Sequence, residues 1–271
     1  MTHPFFEVPV PTVIGHRGCA GEAPENTLVS FERALAAGAA ILESDVHLTR
    51  DGTPVLIHDD VVDRNTDASG RVHELTLNEL QHLDAGYRFS GDGGRTHPFR
   101  GRGHRIPTLR EALEAFPGAR FNLELKERVP GLVERSVEVI ARAGREASTL
   151  LTAGDDRLMA QLRAHAESES VPVALGACAG EILGFVRAAI DGTAPEAGVM
   201  ALQVPHEFGG KPLVTPPFVE HAHAHGIFVH VWTINEIGEM RQLLEIGVDG
   251  LVTDFPGRMK SLIAAPAPES D

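Results

Sequence analysis

The feature that most limits how this chain can fold is a rhythm: short runs rich in β-branched residues keep returning between longer stretches of helical periodicity. The runs stand at residues 12–15, 41–46, 119–123, 149–152, 172–175, 199–203, 227–232 and 250–253. Parallel strands need a long crossover, which a helix supplies, so strand and helix in alternation predict a parallel sheet. Eight such units in 271 residues predict an α/β fold closed into a (β/α)8 TIM barrel, a form that typically takes about 250 residues around one core. The expectation is a single domain over residues 1–271. The first helix shows the local signals, with Asn26 or Thr27 as N-cap, Leu28, Phe31 and Leu35 on one face, and Gly38 at its end.

One run departs from the rhythm. Residues 53–57 follow Asp51-Gly52, a strong hairpin signal, and are expected to return antiparallel to the second strand. With a two-residue loop, Arg50 pairs with Thr53, and counting outward sets Val46 opposite Ile57 and Asp45 opposite His58. Directly opposite residues share a face, so this register projects His58 beside Asp45, and a one-residue bulge would break it. An insertion follows at about residues 59–118, with a helical stretch at 77–83 and a segment rich in Gly, Arg and His at 90–105. Long loops of this kind in compact barrels serve as lids, binding loops or surface. The tails before Pro11 and after Ala264 read as loose ends.

Charge narrows the partners. A net charge of −14 argues against nucleic acid and against a stable seat on anionic lipid, because both reward Lys and Arg. An anionic ligand therefore needs locally placed positive charge. Cys19 and Cys178 are far apart and outside any metal-binding or disulfide pattern, which fits a reducing cytoplasm. The opening residues lack the basic start and apolar run of a targeting signal, and no stretch approaches the about 20 apolar residues of a membrane span. Neither an apolar rim nor a basic amphipathic helix stands out.

In a barrel of this type the C-terminal ends of the strands meet at one mouth, so polar residues there converge from distant parts of the chain. The first run ends in His16-Arg17-Gly18, the second carries Glu43-x-Asp45, the third Glu124-x-Lys126, the seventh Trp232, and the hairpin adds His58-Asp59. Residues two apart on a strand face the same way. Glu43, Asp45 and Glu124 would repel one another if left alone, whereas a hard divalent cation satisfies all three; oxygen donors favour Mg²⁺, Ca²⁺ or Mn²⁺. Any one of these carboxylates taken singly is better explained by a rim salt bridge, and the shared strand-end placement is what favours the cation. His16 and His58 suit acid–base chemistry, since imidazole titrates near neutrality. Arg17 and Lys126 supply charge for a phosphate, the plainer alternative being salt bridges to Glu25 or Glu43. Trp232 offers an apolar wall. His221, His223 and His225 are expected on a solvated helix face, and Asn235 and Asp254 as caps of the helices that follow them.

HRGCAGEAPENT, LESDVHLTRDGTPVLIHDD, LDAGYRF, IPTLREAL, NLELK, VHVWTIN and GVDGLVTDFP, in this order from about His16 to Pro256, resemble the glycerophosphodiester phosphodiesterase family. The resemblance implies hydrolysis of small-molecule glycerophosphodiesters to sn-glycerol 3-phosphate and an alcohol, with bound Mg²⁺ or Ca²⁺. It further implies Glu43, Asp45 and Glu124 as metal ligands, His16 and His58 as the acid–base pair, Arg17 and Lys126 as phosphate holders and Trp232 beside the glycerol. The attacking group, water or the glycerol 2-hydroxyl, stays open. Two rivals are an enzyme of lysophospholipids and a barrel that binds phosphodiesters without cleaving them.

Overall fold

The structure, a computed structural model, describes residues 2–265; the tail expected beyond Ala264 lies almost wholly outside them. The strands are β1 (Thr12–Gly15), β2 (Ile41–Leu48), β3 (Pro54–Leu56), β4 (Arg120–Leu125), β5 (Thr149–Thr152), β6 (Ala174–Leu175), β7 (Ala201–Pro205), β8 (Glu207–Phe208), β9 (Lys211–Pro212), β10 (Phe228–Trp232) and β11 (Gly250–Thr253). The helices are α1 (Leu28–Ala36), α2 (Leu77–Gln81), α3 (Leu109–Ala115), α4 (Leu132–Arg142), α5 (Asp156–Ser168), α6 (Ala179–Asp191), α7 (Pro216–Ala224), α8 (Ile237–Ile246) and α9 (Pro256–Ala264).

Eight of the strands run parallel in the order β6-β5-β4-β2-β1-β11-β10-β7, with β3 antiparallel on β2. The Met200 amide donates to the Leu175 carbonyl at 3.1 Å and draws the two end strands, β6 and β7, together. The result is the expected (β/α)8 barrel. β8 and β9 form a separate two-stranded hairpin directly after β7. Among the described residues no helix is long and apolar enough to cross a membrane.

The main core lies between the strands and the helices around them. Phe31 of α1 meets Phe121 of β4 edge-on with ring centroids 5.9 Å apart, a favoured aromatic geometry. In α1 the cap is Thr27, whose hydroxyl accepts from the Ser30 amide. The buried residues of α1 are Ser30, Phe31 and Ala34, while Leu28 is exposed. A second, smaller core fills the barrel itself with Ile14, Ile41, Leu150, Ala174, Ala201 and Val252.

The residues before Pro11 are not loose. A 3-10 turn at Pro4–Phe6, capped by the His3 ring, inserts Phe5 and Phe6 into that inner core. Phe6 stacks on Phe228 at 4.1 Å. The two rings help fill the barrel interior to close packing, and two isolated phenylalanines carry no periodicity by which to foresee that role.

The hairpin register also differs from expectation. Val46 pairs with Leu56, His47 with Val55 and Leu48 with Pro54, one residue away from the two-residue-loop count. That loop would need positive φ at both Asp51 and Gly52; Gly52 has it, at 78°, and Asp51 does not. Instead the Gly52 amide donates to the Thr49 carbonyl and the Thr49 amide to the Thr53 carbonyl, each at 3.0 Å, closing a three-residue loop. Asp51 accepts from the Thr49 hydroxyl at 2.6 Å and from the Leu77 amide at 3.0 Å, tying the loop to the insertion. Asp45 therefore faces Ile57, whose amide donates to the Asp45 carbonyl at 3.1 Å. Val55 and Ile57 seat the insertion through Val62, Val72, Leu80 and Ile106.

Phe5 is fully buried, so Phe5→Ala should cost about 3–5 kcal/mol of unfolding free energy, measured by urea titration. A loss below about 1 kcal/mol would mean that the plug does not support the barrel.

Candidate active site

Strand register gathers the polar residues. In the β2–β4 pairing Glu43 lies beside Asn122 and Asp45 beside Glu124. Alternation then turns Glu43, Asp45, Asn122, Glu124 and, just past the strand, Lys126 into one cavity of about 410 Å³. His16 and Arg17 enter from the turn after β1, His58 from the hairpin and Trp232 from the end of β10. All eight residues picked out from the sequence line this cavity. His58 does so although it is not paired with Asp45: β3 ends at Leu56, and irregular backbone carries the ring in.

The turn after β1 is tightly held. A Cβ on Gly15 would run into the Gly18 carbonyl oxygen, and one on Gly18, at φ 90°, would lie 2.5 Å from the Ser30 hydroxyl. Arg17 itself sits at φ 48°, a left-handed conformation that costs a non-glycine residue about 1–3 kcal/mol. Three links hold it there: its amide donates to Glu43 Oε2 at 2.9 Å, its guanidinium donates to Glu25 at 2.9 Å, and Nε lies 3.5 Å from Asp45. The salt bridge to Glu25 is the plainer alternative raised by the sequence, and it is present.

Charge at the floor is dense. Lys126 Nζ lies 3.2 Å from Asp45 and 3.0 Å from Glu124. Burial raises the Asp45 carboxyl, and the charges of Lys126 and Arg17 more than reverse this, leaving it below its ordinary pKa. Glu43 goes the other way: burial, then the neighbouring Asp45 charge, push its carboxyl well above the usual range. Asn26 donates to Asp45 at 3.0 Å and accepts from Ser44 at 2.7 Å, so the amide is locked beneath the carboxylate. Among the described residues no three His, Cys, Asp or Glu side chains stand in metal-holding geometry. The donor chemistry nevertheless fits a hard cation, because Glu43, Asp45 and Glu124 share one cavity and the half-buried Glu43 lacks enough positive charge to ionise readily.

Each cavity histidine is braced by a carboxylate. His16 Nδ1–H donates to Asp254 at 2.7 Å, and Asn235 Nδ2 donates to the other Asp254 oxygen at 2.6 Å. Burial lowers the His16 pKa, but the hydrogen bond to Asp254 and the Glu43 charge outweigh it, so the net direction is upward. His58 Nδ1–H donates to Asp59 at 2.7 Å. Arg64, from the insertion, donates to Asp59 at 2.6 Å and to both oxygens of Glu25 at 2.7 Å. One arginine thus joins the brace of His58 to the partner of Arg17.

Several of these roles are not legible in the sequence. Asn235 and Asp254 are not helix caps; Glu236 and Phe255 occupy those positions, and the pair instead orients His16. Arg64 and Glu25 meet across 39 positions, a separation that no local pattern reveals. Asn122 and Gln203 line the cavity with carbonyl oxygens that are buried and without a hydrogen-bond partner; for Asn122 the alternation with Glu124 was a usable signal. On α7, His223 is bonded to Asp249 at 2.9 Å, so that cluster is not simply solvated. Cys19 is buried, and burial pushes its thiol up to about 12, which keeps it unreactive.

Among the described residues the exposed large hydrophobics include Leu183, Phe208, Trp232 and Ile237, of which Trp232 lines the cavity. Trp232 ends β10, Leu183 lies on α6 after β6, Phe208 on β8 after β7, and Ile237 opens α8 after β10.

A model of the glycerophosphoryl diester phosphodiesterase family matches residues 16–258. A glycerophosphodiester phosphodiesterase of Caldanaerobacter subterraneus is 32% identical, the match spanning 93% of this chain and 97% of that protein. A human lysophospholipase D is 27% identical, spanning 92% of this chain and 85% of that protein. Among solved structures, an Oleispira antarctica phosphodiesterase in complex with the product sn-glycerol-3-phosphate superposes with a TM-score of 0.74 at 29% identity, covering 94% of this chain and 98% of that one.

The arginine bridge has a measurable consequence. Burial raises Glu25 and Asp59, but Arg64, with Arg17 on the first and His58 on the second, brings both down to about 2. A depressed carboxyl stabilises the fold above its unfolded pKa and stops doing so as pH falls through the folded value. That contribution is therefore complete above the ordinary values of 4.5 and 3.8 and is lost toward about 2. Arg64→Ala should move acid unfolding, followed by circular dichroism, to higher pH; coincident curves would show that the bridge carries no stability.

Proposed function

The chain belongs to the glycerophosphoryl diester phosphodiesterase family and is a glycerophosphodiester phosphodiesterase, and from that premise we propose how its residues hydrolyse a small glycerophosphodiester to sn-glycerol 3-phosphate and an alcohol. The observation that carries the proposal is the meeting of three carboxylates, two cations and two carboxylate-braced histidines in one cavity. The catalytic unit is taken to be one barrel, with the insertion reaching the mouth through Arg64.

Glu43, Asp45 and Glu124 hold a divalent cation, Mg²⁺, Ca²⁺ or Mn²⁺, their oxygens being suited to hard ions. When bound, that cation neutralises the carboxylates and polarises a phosphoryl oxygen. Arg17 and Lys126 turn toward the phosphate, Arg17 as a planar fork and Lys126 as a point charge. Their present partners, Glu25, Asp45 and Glu124, hold them at the cavity, where the two cations offset the repulsion between the acidic protein and its anionic substrate. With Nδ1 of both histidines committed to a carboxylate, Nε2 is the atom that moves a proton. One histidine takes the proton of the attacking oxygen while the other delivers one to the leaving alkoxide. Trp232, 42% exposed at the lip, covers the carbon skeleton of the glycerol and screens the phosphorus from bulk water. The cytoplasm, with its reduced thiols, suits the free cysteines Cys19 and Cys178.

Glycerophosphocholine should release sn-glycerol 3-phosphate, EDTA should abolish the release, and one of the three cations should restore it. His16→Ala and His58→Ala should each lower kcat by about 10²–10⁴-fold with an unchanged circular dichroism spectrum. Saturable binding without any product would make the barrel a binding protein, and full activity in either variant would remove that histidine from the mechanism.

A further inference from the structure

The insertion carries charge of the opposite sign to the rest of the chain. Residues 84–110 hold six arginines and two aspartates, with neither lysine nor glutamate, in a protein whose net charge is −14. The six, Arg88, Arg95, Arg100, Arg102, Arg105 and Arg110, are all exposed. Three of them are fixed by neutral partners. Arg88 Nε donates to the Thr66 carbonyl at 3.1 Å, Arg95 Nε to the Asp92 carbonyl at 2.9 Å, and Arg100 Nε to the Tyr87 carbonyl at 2.8 Å. The guanidiniums of Arg88 and Arg100 both lie over the Tyr87 ring, 5.8 Å and 4.1 Å from its centroid. A main-chain carbonyl orients a guanidinium without cancelling its charge, so two like charges are held beside one ring and left open to water.

The basic segment packs beside the active site. Phe89, Phe99 and Arg102 line a pocket together with Gly21 and Glu22, and Gly103, His104 and Arg105 line another with Thr27 and Leu28. Gly21, Glu22 and Thr27 belong to the connection from β1 to α1, which begins with His16 and Arg17 at the active-site cavity. Thr66, which holds Arg88, is two residues from Arg64, the side chain that joins Glu25 to Asp59. Coulomb forces reach about 10 Å at 0.1 M salt and about 30 Å at 0.01 M, so charges beside a cavity act on a ligand that they never touch. Such a field sorts substrates by net charge. A glycerophosphodiester of a neutral alcohol is an anion, whereas one whose alcohol bears an ammonium group is a zwitterion.

We propose that the basic segment of the insertion selects substrates by charge, drawing anionic glycerophosphodiesters, whose leaving alcohol is neutral, to the cavity in preference to zwitterionic ones. The inference rests on the phosphodiesterase reading of that cavity and leaves its chemistry unchanged. The acidic remainder of the chain pushes an anion away, and Arg88, Arg95, Arg100 and Arg102 reverse that push along one approach. The two contributions respond to salt with opposite signs: screening a repulsion speeds the capture of an anion, and screening an attraction slows it.

The test measures kcat/KM for glycerophosphoglycerol, an anion, and for glycerophosphocholine, a zwitterion, from about 10 to about 200 mM NaCl, with the activating cation saturating throughout. In the wild type the value for glycerophosphoglycerol should fall by at least about threefold over this range. Glycerophosphocholine should change little, and it controls for any effect of salt on the bound cation. The variant Arg88→Gln, Arg95→Gln, Arg100→Gln, Arg102→Gln should keep its glycerophosphocholine turnover, while its kcat/KM for glycerophosphoglycerol stays level or rises with salt. A rise with salt in the wild type, or equal slopes for the two substrates, would overturn the proposal, and neither outcome depends on the variant. A fall that the folded variant retains would also overturn it and assign the attraction to Arg17 and Lys126. Level rates in the wild type, with co-sedimentation on phosphatidylglycerol vesicles that the variant loses, would reassign the arginines to an anionic bilayer. No product from either substrate would instead defeat the phosphodiesterase reading itself.

Discussion

Two carboxylates two residues apart on a buried strand, Glu43 and Asp45, impose the condition that the rest of the mouth meets. Their charges repel in a setting from which water is largely removed, and the raised Glu43 carboxyl records the unmet part of that repulsion. Lys126, Arg17 and the Asn26 amide all converge on Asp45. The left-handed conformation of Arg17 belongs to the same response, since it aims a backbone amide at Glu43. A divalent cation, as proposed for this site, would complete the neutralisation that the side chains begin.

From this floor, order spreads outward as paired charges. Arg17 is held by Glu25, Glu25 by Arg64, Arg64 by Asp59, and Asp59 by His58. The insertion thus belongs to the site without lining its floor, because its Arg64 sets the second histidine. His16 depends on a separate brace, Asp254 with Asn235, from the opposite edge of β1. The two histidines are therefore oriented independently and can be tuned independently. Elsewhere the cavity is lined by Ala177, Ala179, Ile182 and Trp232, so polarity itself gives it a direction.

Much of this arrangement is legible in the sequence because it depends on short periods. Strand–helix repetition gives the barrel, and alternation along β2 and β4 gives the carboxylates and Lys126. What escapes depends on distance or on backbone detail. The Asp51-Gly52 pair signals a hairpin, but the φ of Asp51 sets the loop length, and His58 reaches the cavity by leaving the strand rather than by pairing with Asp45. Phe5 and Phe6 look like a loose tail because two residues carry no period, although they fill the barrel floor. Asp254 and Asn235 resemble caps because they precede helices, and only the fold brings His16 to them.

The central claim is that Glu43 and Asp45 anchor a cation. Mn²⁺ titrated into metal-free protein and followed by electron paramagnetic resonance tests it most directly, because binding is read without turnover. The wild type should bind one ion per chain at the site, and Glu43→Gln, which keeps the shape of the side chain and removes its charge, should weaken that binding by at least about tenfold, the equivalent of about 1.4 kcal/mol. Equal affinity in wild type and variant would contradict the account and place the ion, and with it the centre of the chemistry, elsewhere.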